Sequence, residues 1–225
     1  MMPLYRQVIL IVGKDVRIEA RGRQTIGLVV VLGILIMVVL GMGLGAGKPI
    51  SGFSATAILW VAYIFGGVLC FEKTMAVERH DDALAGLLVA PIDRGAIFIA
   101  KLITNLVLIA GLALVVTPVA ILLFRFDISG HALGFSIIIA LGMTGFAAVG
   151  TLFAAAVSST RLQGGLLALL VFPLSLPIII VSTQMMRSLF EGAGSMNVLG
   201  LGTLAAFDVI FLIMSWLVFE LVLEP

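Results

Sequence analysis

Hydrophobic positions come in long runs, and polar ones are confined to short islands between them. Between charged residues and the two histidines, uncharged stretches cover 24–47, 49–71, 102–124, 132–160 and 162–186. Each exceeds the roughly 20 residues that a helix needs to cross the hydrocarbon core of a bilayer. A last apolar stretch, Leu199 to Phe219, is interrupted by Asp208. Its halves are too short to span separately, so the pattern predicts one helix with an aspartate near its middle. β-barrel strands would be about 10 residues long and would alternate in hydrophobicity. These runs are apolar on every face, as helices in lipid are. The reading is an all-α integral membrane protein, one membrane domain over 1–225. Its six spans are expected at about 25–46, 50–71, 102–124, 133–157, 163–186 and 199–219.

The segment before the first span has a different rhythm. In 4–23, Tyr5, Val8, Ile9, Val12 and Val16 share one helical arc, and Lys14, Arg17 and Arg21 the opposite one. That predicts an interfacial helix over 1–23 with a basic side toward anionic lipid. Leu10 and Glu19 fit the arcs poorly. The first span reads as an uncleaved signal anchor. Arg6, Lys14, Arg17, Arg21, Arg23, Lys73, Arg79, Arg94, Lys101 and Arg161 fall on one side, and only Lys48, Arg125 and Arg187 on the other. By the positive-inside rule this predicts both termini and the 72–101 loop in the cytoplasm.

Composition sharpens the class. Hydrophobic residues make up 62% and charged ones 11% of 225 residues, with mean hydropathy +1.28. A soluble domain averages roughly 25% charged residues, so a soluble domain, a disordered chain and a disulfide scaffold are all excluded. Net charge of +1 offers nothing to nucleic acid. Cys70 is a lone cysteine, and His80 and His131 are far apart, so neither a disulfide nor a metal signature is read. There is no Ser/His/Asp set, no paired membrane carboxylates and no HExxH, so no enzyme is expected. Gly41 to Lys48 resembles a phosphate-binding loop only superficially. Met42 stands where glycine is needed and Pro49 where Ser or Thr is needed. Close helix packing followed by a turn is the simpler reading.

The 72–101 loop carries the most information. Five acids (Glu72, Glu78, Asp81, Asp82, Asp93) stand beside four bases (Lys73, Arg79, Arg94, Lys101). Asp81 or Asp82 would cap a short helix. Leu84, Leu87 and Leu88 would then share a face. Pro91 would end it, and Asp93 would cap the helix entering span three. Such a leucine face lies on lipid or docks into a groove of a cytoplasmic partner.

At these residues a resemblance emerges. Glu78 to Lys101, with Leu-Leu-x-x-Pro-x-Asp-Arg at 87–94, resembles the haem exporter protein B family, the ABC transporter permeases of the cytochrome c maturation system. Phe172-Pro173-Leu-Ser-Leu-Pro177 is similar to that family's proline pair, and the length, six spans and basic N-terminal helix match. The acidic end, Phe219 to Pro225, departs from the more basic tail of many members. The resemblance implies a permease subunit of an ABC transporter in the bacterial inner membrane. It implies partnership with a cytoplasmic ATPase that binds ATP, a second copy of the chain, a haem-handling membrane subunit and a periplasmic haem chaperone. Haem is then cargo, or the loaded chaperone is what is released. The short loop helix becomes the coupling helix. Glu78, Asp81, Asp82, Leu84, Leu87, Leu88, Pro91, Asp93 and Arg94 form its ATPase contact. Other readings are an ABC export permease for lipid, drug or polysaccharide, and a non-transporting membrane scaffold.

Within the spans, Asp208 is a candidate for the transport path or gating, because ionisable groups at that depth usually face a bundle interior, a cavity or an interface. The plain alternative is a structural bond to Asn105, Thr117 or Gln184. Pro173 and Pro177 are hinge candidates or static bends, as is Pro118. Axial haem ligation by His80 or His131 is disfavoured by their opposite sides. No cofactor or metal is expected to bind this chain directly.

Overall fold

The computed structural model describes residues 3–22, 24–45, 50–80, 93–125, 128–158, 163–191 and 198–222. Among them are seven helices: α1 (Leu4–Gly22), α2 (Gln24–Gly45), α3 (Gly52–His80), α4 (Arg94–Phe124), α5 (Ala132–Ser158), α6 (Gln163–Glu191) and α7 (Val198–Val222). Six of them, α2 to α7, are long and apolar enough to cross a membrane, as the uncharged runs predict.

The helices differ from the predicted spans mainly at one end. α3 runs to His80 and α4 starts at Arg94, so most of the expected 72–101 loop is helix and only 81–92 remain between them. Charged residues mark where the apolar run stops, but a helix continues wherever its backbone bonds continue. Asp93 caps α4 as its position suggests: its Oδ1 accepts from the Gly95 N–H at 2.9 Å. At the far end Arg125 closes α4 in the left-handed region (φ 53°), and its N–H bonds the Ile121 carbonyl at 2.8 Å.

α3 and α5 form the centre, with 67% and 61% of their most apolar stretches buried, against 17% for α2 and α7. The two central helices interlock through glycines. Phe146 of α5 sits where a side chain at Gly67 would be, and Phe71 of α3 fills the same place at Gly150. The two rings meet at 5.0 Å. Small residues let the backbones approach and so supply the dispersion contacts that hold helices together in lipid. Polar side chains tie the same helices. Asn105 of α4 donates to Thr151 of α5 at 2.9 Å and accepts from Thr74 of α3 at 2.9 Å. Tyr63 of α3 bonds Thr117 of α4.

Candidate functional site

α1 does not use a simple apolar-against-basic division. Its bundle-facing side is Gln7, Val8, Ile11, Asp15 and Glu19, all buried, while Tyr5, Ile9 and Leu10 point away and are about 60% exposed. The polar residues explain the choice of face. Asp15 Oδ2 meets Lys101 Nζ of α4 at 2.8 Å, and Lys14 reaches Asp15 Oδ1 at 3.2 Å. Gln7 Oε1 accepts from the Asp93 backbone N–H at 3.1 Å. α1 thus grips α4 at its N-cap and again two turns further in.

Lys101 is a finding that spacing alone misses. It is 1% exposed within α4, not a solvated loop charge. Its place is tolerable because Asp15, 86 positions earlier, supplies the counter-charge. Glu19, the poor fit to the predicted arcs, lies on this same face. The available signal was the recurrence Gln7, Asp15, Glu19 on every fourth or eighth position, a polar stripe separate from the basic arc.

The second ionisable site lies mid-span. Asp208 stands ten residues after Val198 and eleven before Phe219 in its apolar stretch, and is 5% exposed. Among the described residues neither carboxylate oxygen has a hydrogen-bond partner. Of the bonding partners expected for it, Asn105 and Thr117 are engaged elsewhere and Gln184 is exposed. Asp208 packs instead against Gly145 of α5, where a side chain would collide with its Oδ1. One turn along the same ridge, Ser182 of α6 and Trp60 of α3 crowd Gly142, and the Ser182 hydroxyl is likewise buried without a partner. The ridge is therefore a polar seam between α5, α6 and α7. Ser215 of α7 extends it by donating to the Ala148 carbonyl at 3.3 Å.

The proline pair stands apart from this seam. α6 passes through Pro173 and Pro177 as one helix, and both prolines lie on its exposed side. Pro118 is also exposed within a continuous α4. Of the expected coupling residues, Asp81, Asp82, Leu84, Leu87, Leu88 and Pro91 lie outside the described residues, as does the loop helix they would form. Glu78 and Arg94 belong to α3 and α4, and their side chains are outside the described set, as is that of His80. Asp93 alone has its contacts described, and they link it to Gln7 and Gly95. His131 stands at the opposite end, its ring 6.3 Å from that of Phe190. Among the described residues no group of three His, Cys, Asp or Glu could hold a metal ion.

The family model described as CcmB protein matches residues 6–223. The chain belongs to the CcmB protein family. It is 26% identical over 183 residues to heme exporter protein B of Rhodobacter capsulatus, covering 81% of this chain and 83% of that protein. It is 28% identical over 188 residues to heme exporter protein B of Paracoccus denitrificans, covering 83% and 85%. α1 from Arg6 onward, the six apolar helices and the polar seam all fall within the CcmB match. This CcmB chain is a multi-pass protein of the bacterial inner membrane.

Proposed function

We propose that the chain is the permease subunit of a haem exporter serving cytochrome c maturation, driven by ATP hydrolysis on a separate cytoplasmic subunit. The family match over 6–223 carries this reading, and the names of the two relatives supply the cargo. The packing of α1 supports a mechanical role. A displacement of the 81–92 segment by the ATPase would reach the first turn of α4 through Asp93. From there it passes to α1 through Gln7 and through the Asp15–Lys101 pair. Leu84, Leu87 and Leu88 supply the apolar docking contact, and Glu78, Asp81, Asp82 and Arg94 orient it through rim charges, with Pro91 ending the coupling helix. The basic-rich end faces the cytoplasm, with both termini on that side. The assembly includes a second copy of the chain, a haem-handling membrane subunit and a periplasmic haem chaperone. Asp208 belongs to the moving interior, and Pro173 and Pro177 serve as hinges on the exposed side of α6, away from it.

One complementation experiment tests the reading. A gene deletion should abolish covalent haem staining of c-type cytochromes, and the wild-type gene should restore it. The double variant Leu87→Asp, Leu88→Asp should reach the membrane yet fail to restore staining and fail to co-purify an ATPase. Unchanged cytochromes in the deletion strain would defeat the function. Normal complementation by the double variant would defeat the coupling assignment.

A further inference from the structure

α1 keeps one register against α4. Gln7 bonds Asp93 and Asp15 meets Lys101, and both pairs are 86 positions apart. The two helices therefore run side by side in the same direction, each α1 residue level with the α4 residue 86 positions later. That register gives α1 a depth. The apolar stretch of α4, Gly95–Phe124, has 30 residues, which is about 45 Å of helix. A bilayer measures roughly 40–45 Å with its headgroups and about 30 Å without them. The first turns of that stretch therefore lie in the headgroup layer. Ile9 stands level with Gly95, and Arg17 with Ile103. The first span agrees, since it begins at Ile26, nine residues after Arg17.

At this depth α1 carries an open groove of about 490 Å³, lined by Ile9, Leu10, Gly13, Lys14, Arg17 and Ile18. An interfacial helix usually puts its apolar residues on one side and its bases on the other. Here both share the side turned away from the bundle, because Gln7, Val8, Ile11, Asp15 and Glu19 occupy the other. Gly13 leaves the groove clear, since a Cβ there would meet nothing within 4 Å. Lys14 already leans on Asp15 at 3.2 Å, so the exposed Arg17 is the principal base. A free phosphate would have no use for three exposed aliphatic side chains, and a second copy of the chain would bring like charges face to face. An anionic amphiphile matches both parts of the groove, and the headgroup layer is where its phosphate lies. We propose that this groove binds one anionic phospholipid, its phosphate on Arg17 with Lys14 beside it and its apolar part against Ile9, Leu10 and Ile18. The lipid covers the outer side of α1 and holds the helix against α4. The site is independent of the cargo and of the ATPase.

The test uses the purified full-length chain in a neutral detergent, with no partner and no haem. It is titrated with phosphatidylglycerol and, separately, with phosphatidylcholine of the same acyl chains, and bound lipid is counted by native mass spectrometry. One phosphatidylglycerol should bind at concentrations where phosphatidylcholine does not. Arg17→Gln should weaken that binding about fivefold, the worth of one base near a membrane surface. Gly13→Leu fills the groove without touching the rest of the fold, so it should keep the unfolding midpoint and lose the bound lipid. Lys73→Gln removes an exposed base from α3 and should bind phosphatidylglycerol as the unaltered chain does. Equal binding of the two lipids would overturn the site and leave the groove to a protein partner. Undiminished binding by Gly13→Leu would overturn it too, and so would a loss in Lys73→Gln as large as that in Arg17→Gln, since the attraction would then be diffuse.

Discussion

The two described regions that bury an aspartate handle it in opposite ways. At the α1–α4 junction Asp15 is 2.8 Å from Lys101, and both side chains are hidden. In the α5–α7 seam Asp208 packs against Gly145, and among the described residues neither of its carboxylate oxygens has a hydrogen-bond partner. The first carboxylate is electrostatically compensated where it stands. The second has no partner among the described residues, and an unsatisfied polar group costs more in lipid than in a soluble core. Under the proposed function another conformation or partner would satisfy this group, which would make the seam the moving part of the bundle. The junction is the part with a reason to stay together.

The largest effect should come from breaking the junction. Lys101→Met leaves buried Asp15 with only the part-exposed Lys14 at 3.2 Å, and loss of one member of a buried pair costs about 3–5 kcal/mol, an upper bound here. The membrane yield and the unfolding midpoint should both fall sharply. Adding Asp15→Leu to Lys101→Met removes the orphaned charge and should recover most of the loss. A double variant no better than Lys101→Met alone would show that the pair is not coupled, and the contrast with Asp208 would collapse.

That junction also shows where reading the sequence succeeds and fails. Six spans are legible because lipid imposes a local rule: about 20 residues without charge. The N-cap at Asp93 is legible because capping is equally local. Lys101 was not, since its burial depends on a residue 86 positions away that no periodicity connects to it. The protein-facing side of α1 is not legible in its own sequence for the same reason. An exposed apolar arc of Tyr5, Ile9 and Leu10 is what a helix at a lipid surface requires, and the buried face is chosen by polar partners on α4. Asp208 was legible as an exception but not its surroundings, because the seam is assembled from single residues of α5, α6 and α7.

The seam itself can be tested through its glycine. A side chain at Gly145 would occupy the position of Asp208 Oδ1, so Gly145→Val should cost about 1–3 kcal/mol by overpacking. Combining Gly145→Val with Asp208→Ala makes room and should restore much of that loss in the same unfolding assay. Recovery would establish that the two residues share one volume. Additive losses would place Asp208 elsewhere and remove the seam from the comparison.

The smallest effect is expected where a polar pair is neutral and already satisfied. Tyr63 and Thr117 join α3 to α4 by a single hydroxyl–hydroxyl bond, with the Tyr63 ring packed edge-on to Trp60 at 5.8 Å. Tyr63→Phe keeps the ring and removes only the bond. Interhelical bonds in a bilayer average about 0.6 kcal/mol, because the separated helices find other partners. The unfolding midpoint should therefore move only slightly, several-fold less than for Lys101→Met. A loss as large as that of the ion pair would mean that polarity alone, and not charge, sets the stability of contacts between these helices. The distinction between a compensated and an uncompensated carboxylate would then lose its force.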